Sequence, residues 1–309
     1  MDALSDLLTL LKPERFRTAG FDFGGEWAVH YGDQPGRIKC FAVTKGECWL
    51  AVKGIEPVRL TAGESFVLPS GCAFTLASNV EVPPLSFHEV HRGRPYGGVA
   101  VHQGGGDVQI VGVRFDLDGR QSGALLSSLP PMLLVEKAAD QAALRWSIEQ
   151  LMHEMREARL GASLAAHHLA HIMLLQALRA YLSSPREGIG WFFALADPQL
   201  GAAIGAMHAD PTQRWTLGEL AGRAGMSRSI FAERFRDKVG ETPIAYLTRW
   251  RMMLAAERLL SGSEPLAETA GSVGYDSENA FNTAFRRVMG CSPRRYARAG
   301  VAGTDVRKP

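Results

Sequence analysis

Residues 240–246 read GETPIAY and residues 290–296 read GCSPRRY. Both fit Gly-x-Ser/Thr-Pro-x-x-Tyr, and the fifty-residue register continues upstream. Ser227 matches Ser277, Phe231 matches Phe281 and Phe235 matches Phe285. A duplication of this kind constrains the last third of the chain to two copies of one small unit.

The residue types spell out that unit. Each half opens with a Ser that can cap a helix, carries Phe at i+4 and i+8, and stops at a Gly. A Ser/Thr-Pro step then opens the next helix. The two Phe of each half share one face. The opposite face reads Arg228, Ser229, Ala232, Glu233 and Arg236 in the first copy, and Glu278, Asn279, Asn282, Thr283 and Arg286 in the second.

A shorter helix precedes each. TLGELAGRAGMS places Leu217, Leu220, Ala221 and Ala224 on one face before a turn at Gly225. PLAETAGSVGYDS does the same with Leu266, Ala270 and Val273 before Gly274. Short helix, glycine turn, longer helix is helix-turn-helix geometry, which presents its second helix to a major groove. The segment PIAYLTRWRMMLAAERLLSG is long enough to join the two as a helix. Two recognition helices held about 34 Å apart would enter successive major grooves on one DNA face. A repeat that serves packing alone is the alternative, and the charge distribution argues against it.

The formal net charge is only +2 over 309 residues. From residue 209 onward there are 16 Lys and Arg against 11 Asp and Glu, a surplus of five. The first 208 residues carry a deficit of three. The arginines are scattered through helical patterns, as on a folded surface that meets a polyanion.

The rest of the composition sets the class. At 46% hydrophobic and 21% charged, the sequence is that of an ordinary globular protein with room for two domains. The opening MDALSDLLTLLKPERFR has no basic stretch followed by an apolar core, so no secretory signal is expected. No apolar run is long enough for a membrane span. Four cysteines without CxxC spacing argue against a zinc site and suit a reducing cytoplasm.

Residues from about 20 to 120 read as β-structure. Short Val-, Phe- and Trp-rich runs broken by Gly and Pro predict a small sandwich or barrel. HRGRPYGGVAVHQGGGD is expected to be a loop. From about 137 to 183 the period becomes helical, with Leu144, Ile148, Leu151 and Met155 on one stripe. The following helix, ASLAAHHLAHIMLLQALRAYLSS, is apolar over most of its circumference. It must bury either against the β-domain or in a dimer seam. SSPREGIGWFFALADPQ reads as a linker into the last domain.

The last hundred residues resemble the DNA-binding domain of AraC/XylS-type transcriptional regulators. The resemblance rests on the Leu-x-x-x-Ala-Gly-Met-Ser entrance, both Gly-x-Ser/Thr-Pro-x-x-Tyr exits, Arg251 in the joining helix, and GYDSENAF. It implies two helix-turn-helix units on one linker helix, double-stranded promoter DNA as partner, and RNA polymerase as a second partner. In the first copy many relatives carry a basic residue where this chain reads Ala232-Glu233-Arg234. Ala232 can touch only a thymine methyl, while Glu233 can accept from cytosine N4 or repel phosphate. In the second copy Asn279 and Asn282 suit adenine edges. Base contacts are therefore expected from Arg228, Ser229, Ala232, Glu233, Glu278, Asn279, Asn282 and Thr283. Phosphate contacts are expected from Arg236, Arg286, Arg287, Arg294 and Arg295.

KGECWLAVKGIEPVRLTAGESFVLPSGCAFTLAS resembles a cupin core, as in the sensor domains of one branch of these regulators. The resemblance implies a barrel that binds a small-molecule effector or mediates homodimerisation. Trp49, Phe66 and Phe74 are candidates for the pocket or for the core. Positions that often carry metal-binding His in cupin enzymes read Ser70 and Phe74. His88, His91 and His102 cluster in sequence, but local bonding explains them as well as a metal does. No catalytic residue, metal or cofactor is expected.

The expected architecture is a multi-domain chain. An all-β cupin-like sensor covers 1–125, a helical linker and dimerisation segment 126–197, and an all-α tandem helix-turn-helix domain 198–300, with a tail over 301–309. The expected function is that of a cytoplasmic, sequence-specific transcriptional regulator, an activator rather than a repressor, under effector control. The alternatives are a cupin-type metal enzyme fused to a DNA-binding module, and a redox-sensing regulator using Cys40 and Cys72.

Overall fold

The computed structural model describes residues 4–6, 8, 15–92, 97–117, 129–135, 142–157, 159–183, 189–262 and 264–298. The expected tail over 301–309 lies outside the described residues. The chain divides into two compact units. One gathers the described residues between 15 and 183, the other those from 189 onward with 4–6 and 8.

The first unit is built from two sheets. A six-stranded sheet runs β11 (Leu133–Val135), β6 (Ser65–Leu68), β3 (Arg37–Lys45), β10 (Val108–Asp116), β1 (Arg15–Phe23) and β9 (Val99–His102). A five-stranded sheet runs β5 (Val58–Thr61), β4 (Glu47–Val52), β7 (Phe74–Ala77), β2 (Ala28–Tyr31) and β8 (Leu85–Ser86). Strand alternation supplies the interior: Phe21, Phe23, Val29, Tyr31, Phe41, Val43, Leu50, Phe66 and Phe74 share one core. The β3–β4 turn depends on Gly46, with φ 73°, because a Cβ there would sit 2.3 Å from Asp107 O.

Two helices cover the outer face of the six-stranded sheet. They are α2 (Ala142–Glu157) and α3 (Ala162–Ser183), after the short α1 (Phe87–Val90). The α2 stripe Leu144, Ile148, Leu151 and Met155 is buried, and the helix packs on β1, β3 and β10. Helix α3 packs on β6 and β11. Both helices of the expected 126–197 segment thus pack on the sheet of the same unit: an apolar stripe needs an apolar surface, and that sheet provides it.

Two further expectations change. The Gly-rich stretch read as a loop contains β9, which pairs in parallel with β1 from Gly20↔Val99 to Phe23↔His102. Alternation in VAVH buries Ala100 and satisfies the open edge of β1. The stretch read as a linker contains α4 (Trp191–Leu195), with Trp191 and Phe192 buried in the second unit. Exposing such a cluster to water would forfeit about 2 kcal/mol per side chain. Residues 184–188 of that stretch lie outside the described residues.

The second unit continues with α5 (Pro198–Ala209), α6 (Leu217–Arg223), α7 (Arg228–Val239), α8 (Pro243–Ser261), α9 (Leu266–Ser272) and α10 (Glu278–Met289), and a last helical stretch over 293–298. Phe231, Phe235, Phe281 and Phe285 are completely buried. Among the described residues no helix is long and apolar enough to cross a membrane.

Candidate nucleic-acid interface

The recognition helices of the two halves are capped and stopped alike. Ser227 caps α7 by accepting from Ile230 N at 3.4 Å, and Ser277 caps α10 from Ala280 N at 3.3 Å. Each helix ends on a left-handed glycine, Gly240 at φ 87° and Gly290 at φ 74°. Their N–H groups donate to Arg236 O and Arg286 O at 2.8 and 3.0 Å. Thr242 and Ser292 then cap the next helices, accepting from Ala245 N and Arg295 N at 3.3 Å each.

Ring packing repeats as well. The Phe231–Phe235 and Phe281–Phe285 centroids are both 5.5 Å apart. Tyr246 meets Phe235 edge-on at 5.8 Å, and Tyr296 meets Phe285 at 5.6 Å. The tyrosine of each exit motif therefore locks its recognition helix against the next helix.

This packing fixes what faces solvent. Arg228, Ser229, Glu233 and Arg236 are exposed on α7, and Ala232 is half-buried. Glu278, Asn279, Thr283, Arg286 and Arg287 are exposed on α10, and Asn282 is half-buried. Arg294 and Arg295 are exposed just beyond. A shallow concavity brings Glu278, Asn282, Thr283, Arg286 and Arg294 together, with Ser292 and Leu266 at its edge. Thr283 Oγ1 donates to Asn279 O at 2.9 Å, so its hydroxyl presents a lone pair rather than a proton outward.

Two arginines serve the scaffold. Arg234 bonds Asp197 Oδ2 at 2.5 Å and Gln199 Oε1 at 2.8 Å, tying α7 to the start of α5. Arg251 donates to Pro211 O at 2.5 Å and to Gln213 O at 2.7 Å, and lies 6.0 Å from the Tyr275 ring. It joins the loop before the first helix-turn-helix to the turn inside the second. Sequence spacing flagged Arg251 but could not say what it holds.

Comparison with known proteins is decisive here. A family profile described as "Cupin" matches residues 2–183, and one described as "Helix-turn-helix domain" matches 220–299. An AraC-like transcription regulator of Streptomyces antibioticus is 40% identical over 96% of this chain and 98% of its own length. The chain belongs to the AraC family of transcriptional regulators. The RCS-specific activator RclR of Escherichia coli is 30% identical to it over 96% of the chain and 97% of that protein. The solved DNA-binding domain of AdpA, crystallised with target DNA, is 32% identical over 32% of the chain and 90% of that structure, with TM-score 0.31.

In this AraC-family regulator the barrel departs from several expectations. Phe66 and Phe74 are core residues, and Trp49 lies on the opposite side of its strand from buried Cys48 and Leu50. None of the three lines the cavity of about 290 Å³ at one end of the barrel. That cavity is bounded instead by Arg17, Lys39, Arg114, Tyr31, Phe41 and Phe87 among others. Strand alternation sends Trp49 outward, which the sequence alone leaves open.

The histidines separate. His91 is buried and stacks on Phe87 at 5.1 Å, whereas His102 lies edge-on to Phe23 at 6.1 Å. His88 faces the cavity. Among the described residues no three His, Cys, Asp or Glu come together as metal ligands.

The cysteine pair is corrected too. Cys40 is fully buried on the helix-covered face of β3, since its neighbour Phe41 faces the core. Burial pushes its thiol up to about 12. Cys72 packs on the other side, against the barrel core, so the sheet lies between them.

Proposed function

We propose that the chain is a cytoplasmic one-component activator that acts by binding and not by catalysis. Both recognition helices read one promoter face. Asn279, Asn282, Thr283 and Glu278 face bases in the second half, and Arg228, Ser229, Ala232 and Glu233 in the first. Arg236, Arg286, Arg287, Arg294 and Arg295 neutralise phosphates. The observation that carries this reading is the matched construction of the two halves: each recognition helix buries its Phe pair and leaves polar side chains exposed. RclR is named a transcriptional activator, which supports the activator role and RNA polymerase as partner.

The barrel is the sensor in this reading, and the chain works as a homodimer. Effector binding shifts the population of DNA-competent arrangements. The test is binding of the full-length protein to DNA upstream of its own gene and neighbouring genes, titrated against salt. A competitor-resistant complex whose affinity falls steeply with salt supports the reading. Equal affinity for every fragment and for random DNA overturns it.

A further inference from the structure

Three cations stand in a row across the six-stranded sheet. Arg17 on β1 is the direct cross-strand partner of Arg114 on β10, and Arg114 is the direct partner of Lys39 on β3. Directly opposed residues share a face. That face is the inner one, because the next row along is Ala19, Gly112 and Phe41, with Ala19 and Phe41 in the core. Like charges opposed across strands are destabilising. Here the pattern occurs twice in one row, at the wall of the cavity of about 290 Å³.

Asp116 sits one row further out and pairs with Arg37 at 2.7 Å and Arg114 at 3.2 Å. Asp33, the one carboxylate among the described cavity residues, accepts from Ala73 N at 2.7 Å. Lys39 is buried, and its ammonium donates to Gly32 O at 2.7 Å and Cys72 O at 3.0 Å. Two of its three N–H groups are thereby used. Tyr31 also lines the cavity, and its buried hydroxyl has no hydrogen-bond partner among the described residues. A buried hydroxyl left unmatched is costly. Lys39, Arg17 and the Tyr31 hydroxyl thus border one space, and Phe21, Phe41 and Phe87 supply an apolar wall beside it.

We propose that this cavity binds a small organic carboxylate. Its head accepts from Lys39, Arg17 and the Tyr31 hydroxyl, and its apolar body lies against Phe21, Phe41 and Phe87. The inference deepens the sensor reading and rests on it only for the regulatory consequence. Binding itself is a separate property of the barrel.

The experiment is calorimetry and thermal melting of the full-length protein without DNA. The probes are benzoate and octanoate, their neutral counterparts benzyl alcohol and octanol, and inorganic phosphate. Saturable binding of an acid with a raised Tm, and none by its alcohol, is expected. Lys39→Met and Arg17→Gln should each weaken it about tenfold or more, near 1.4 kcal/mol. Arg17 is at an exposed strand end, so its variant keeps the test open if Lys39→Met does not fold. The proposal is overturned if the alcohols bind as well as the acids, if phosphate alone reproduces the effect, if neither acid binds, or if both folded variants bind like wild type. Acid binding that leaves promoter occupancy unchanged would retain the site and remove its sensing role.

Discussion

His208 stacks face to face on Trp250, with ring centroids 3.7 Å apart and planes 7° from parallel. Its Nε2 lies 2.8 Å from the Tyr246 hydroxyl, and its Nδ1 lies 3.4 Å from Asp6 Oδ2. The imidazole therefore bonds the tyrosine that locks the first recognition helix. Burial holds its pKa below the usual 6.5, with Asp6 opposing that shift and Arg249 adding to it. As pH falls through about 6.5 the unfolded chain takes up a proton that the folded site resists, so stability falls. The slope for one such group approaches about 1.4 kcal/mol per pH unit. Melting at pH 7 and pH 5 should show this loss, and His208→Phe, which keeps the stack, should flatten it. An unchanged slope in that variant would place the titration elsewhere.

Asn279 and Arg286 lie two turns apart on α10 and should fail differently. On the proposed assignment of Asn279 to a base, Asn279→Ala should lower affinity for the preferred promoter by about 1–3 kcal/mol while random DNA is little affected. On the proposed assignment of Arg286 to a phosphate, Arg286→Ala should weaken all sequences together and lower the log-log salt slope by about one. Electrophoretic titrations at several salt concentrations separate the two. If both variants weaken every sequence equally, the assignment of Asn279 to a base is wrong.

The helical unit was legible in the sequence because its determinants are local. A cap such as Ser227, a stop such as Gly240 and a Phe pair spaced by four each act within one or two turns. The cation row was not legible, because Arg17, Lys39 and Arg114 meet only through strand register. A slip of one residue would turn any of them to the opposite face. The strand at Val99–His102 was hidden for a related reason: its partner β1 lies about eighty residues away, and glycines flank it. Trp191 and Phe192 were read as linker because their burial depends on helices that follow them in sequence.

Arg251 offers a test of how the halves are held together. Its planar guanidinium reaches Pro211 O, Gln213 O and, at 3.4 Å, Thr212 O, three carbonyls in one short loop. A lysine has the charge but not the fork. Arg251→Lys should therefore destabilise the C-terminal unit by about 1–3 kcal/mol, nearly as much as Arg251→Ala. DNA affinity should fall in proportion to the lost folded fraction near the melting midpoint and recover on cooling. Full rescue by lysine would mean that charge, and not the fork geometry, is what the loop requires.

Oxidation provides the last test. A disulfide needs its Cβ atoms within about 4.5 Å. Cys40 points to the helix-covered face of β3, whereas Cys72 packs on the core side. With its thiol pushed up to about 12 by burial, Cys40 carries little thiolate at pH 7. Attack on peroxide requires the thiolate. Cys48 is buried and pushed up to about 12 as well. Half-buried Cys72 and Cys291 are the more accessible thiols. Mild peroxide should therefore leave Cys40 and Cys48 reduced by mass spectrometry, form no Cys40–Cys72 bridge, and leave promoter binding by Cys72→Ser and wild type equal. A Cys40–Cys72 peptide in the oxidised digest would require the sheet to open, and would restore a redox switch as the means of control.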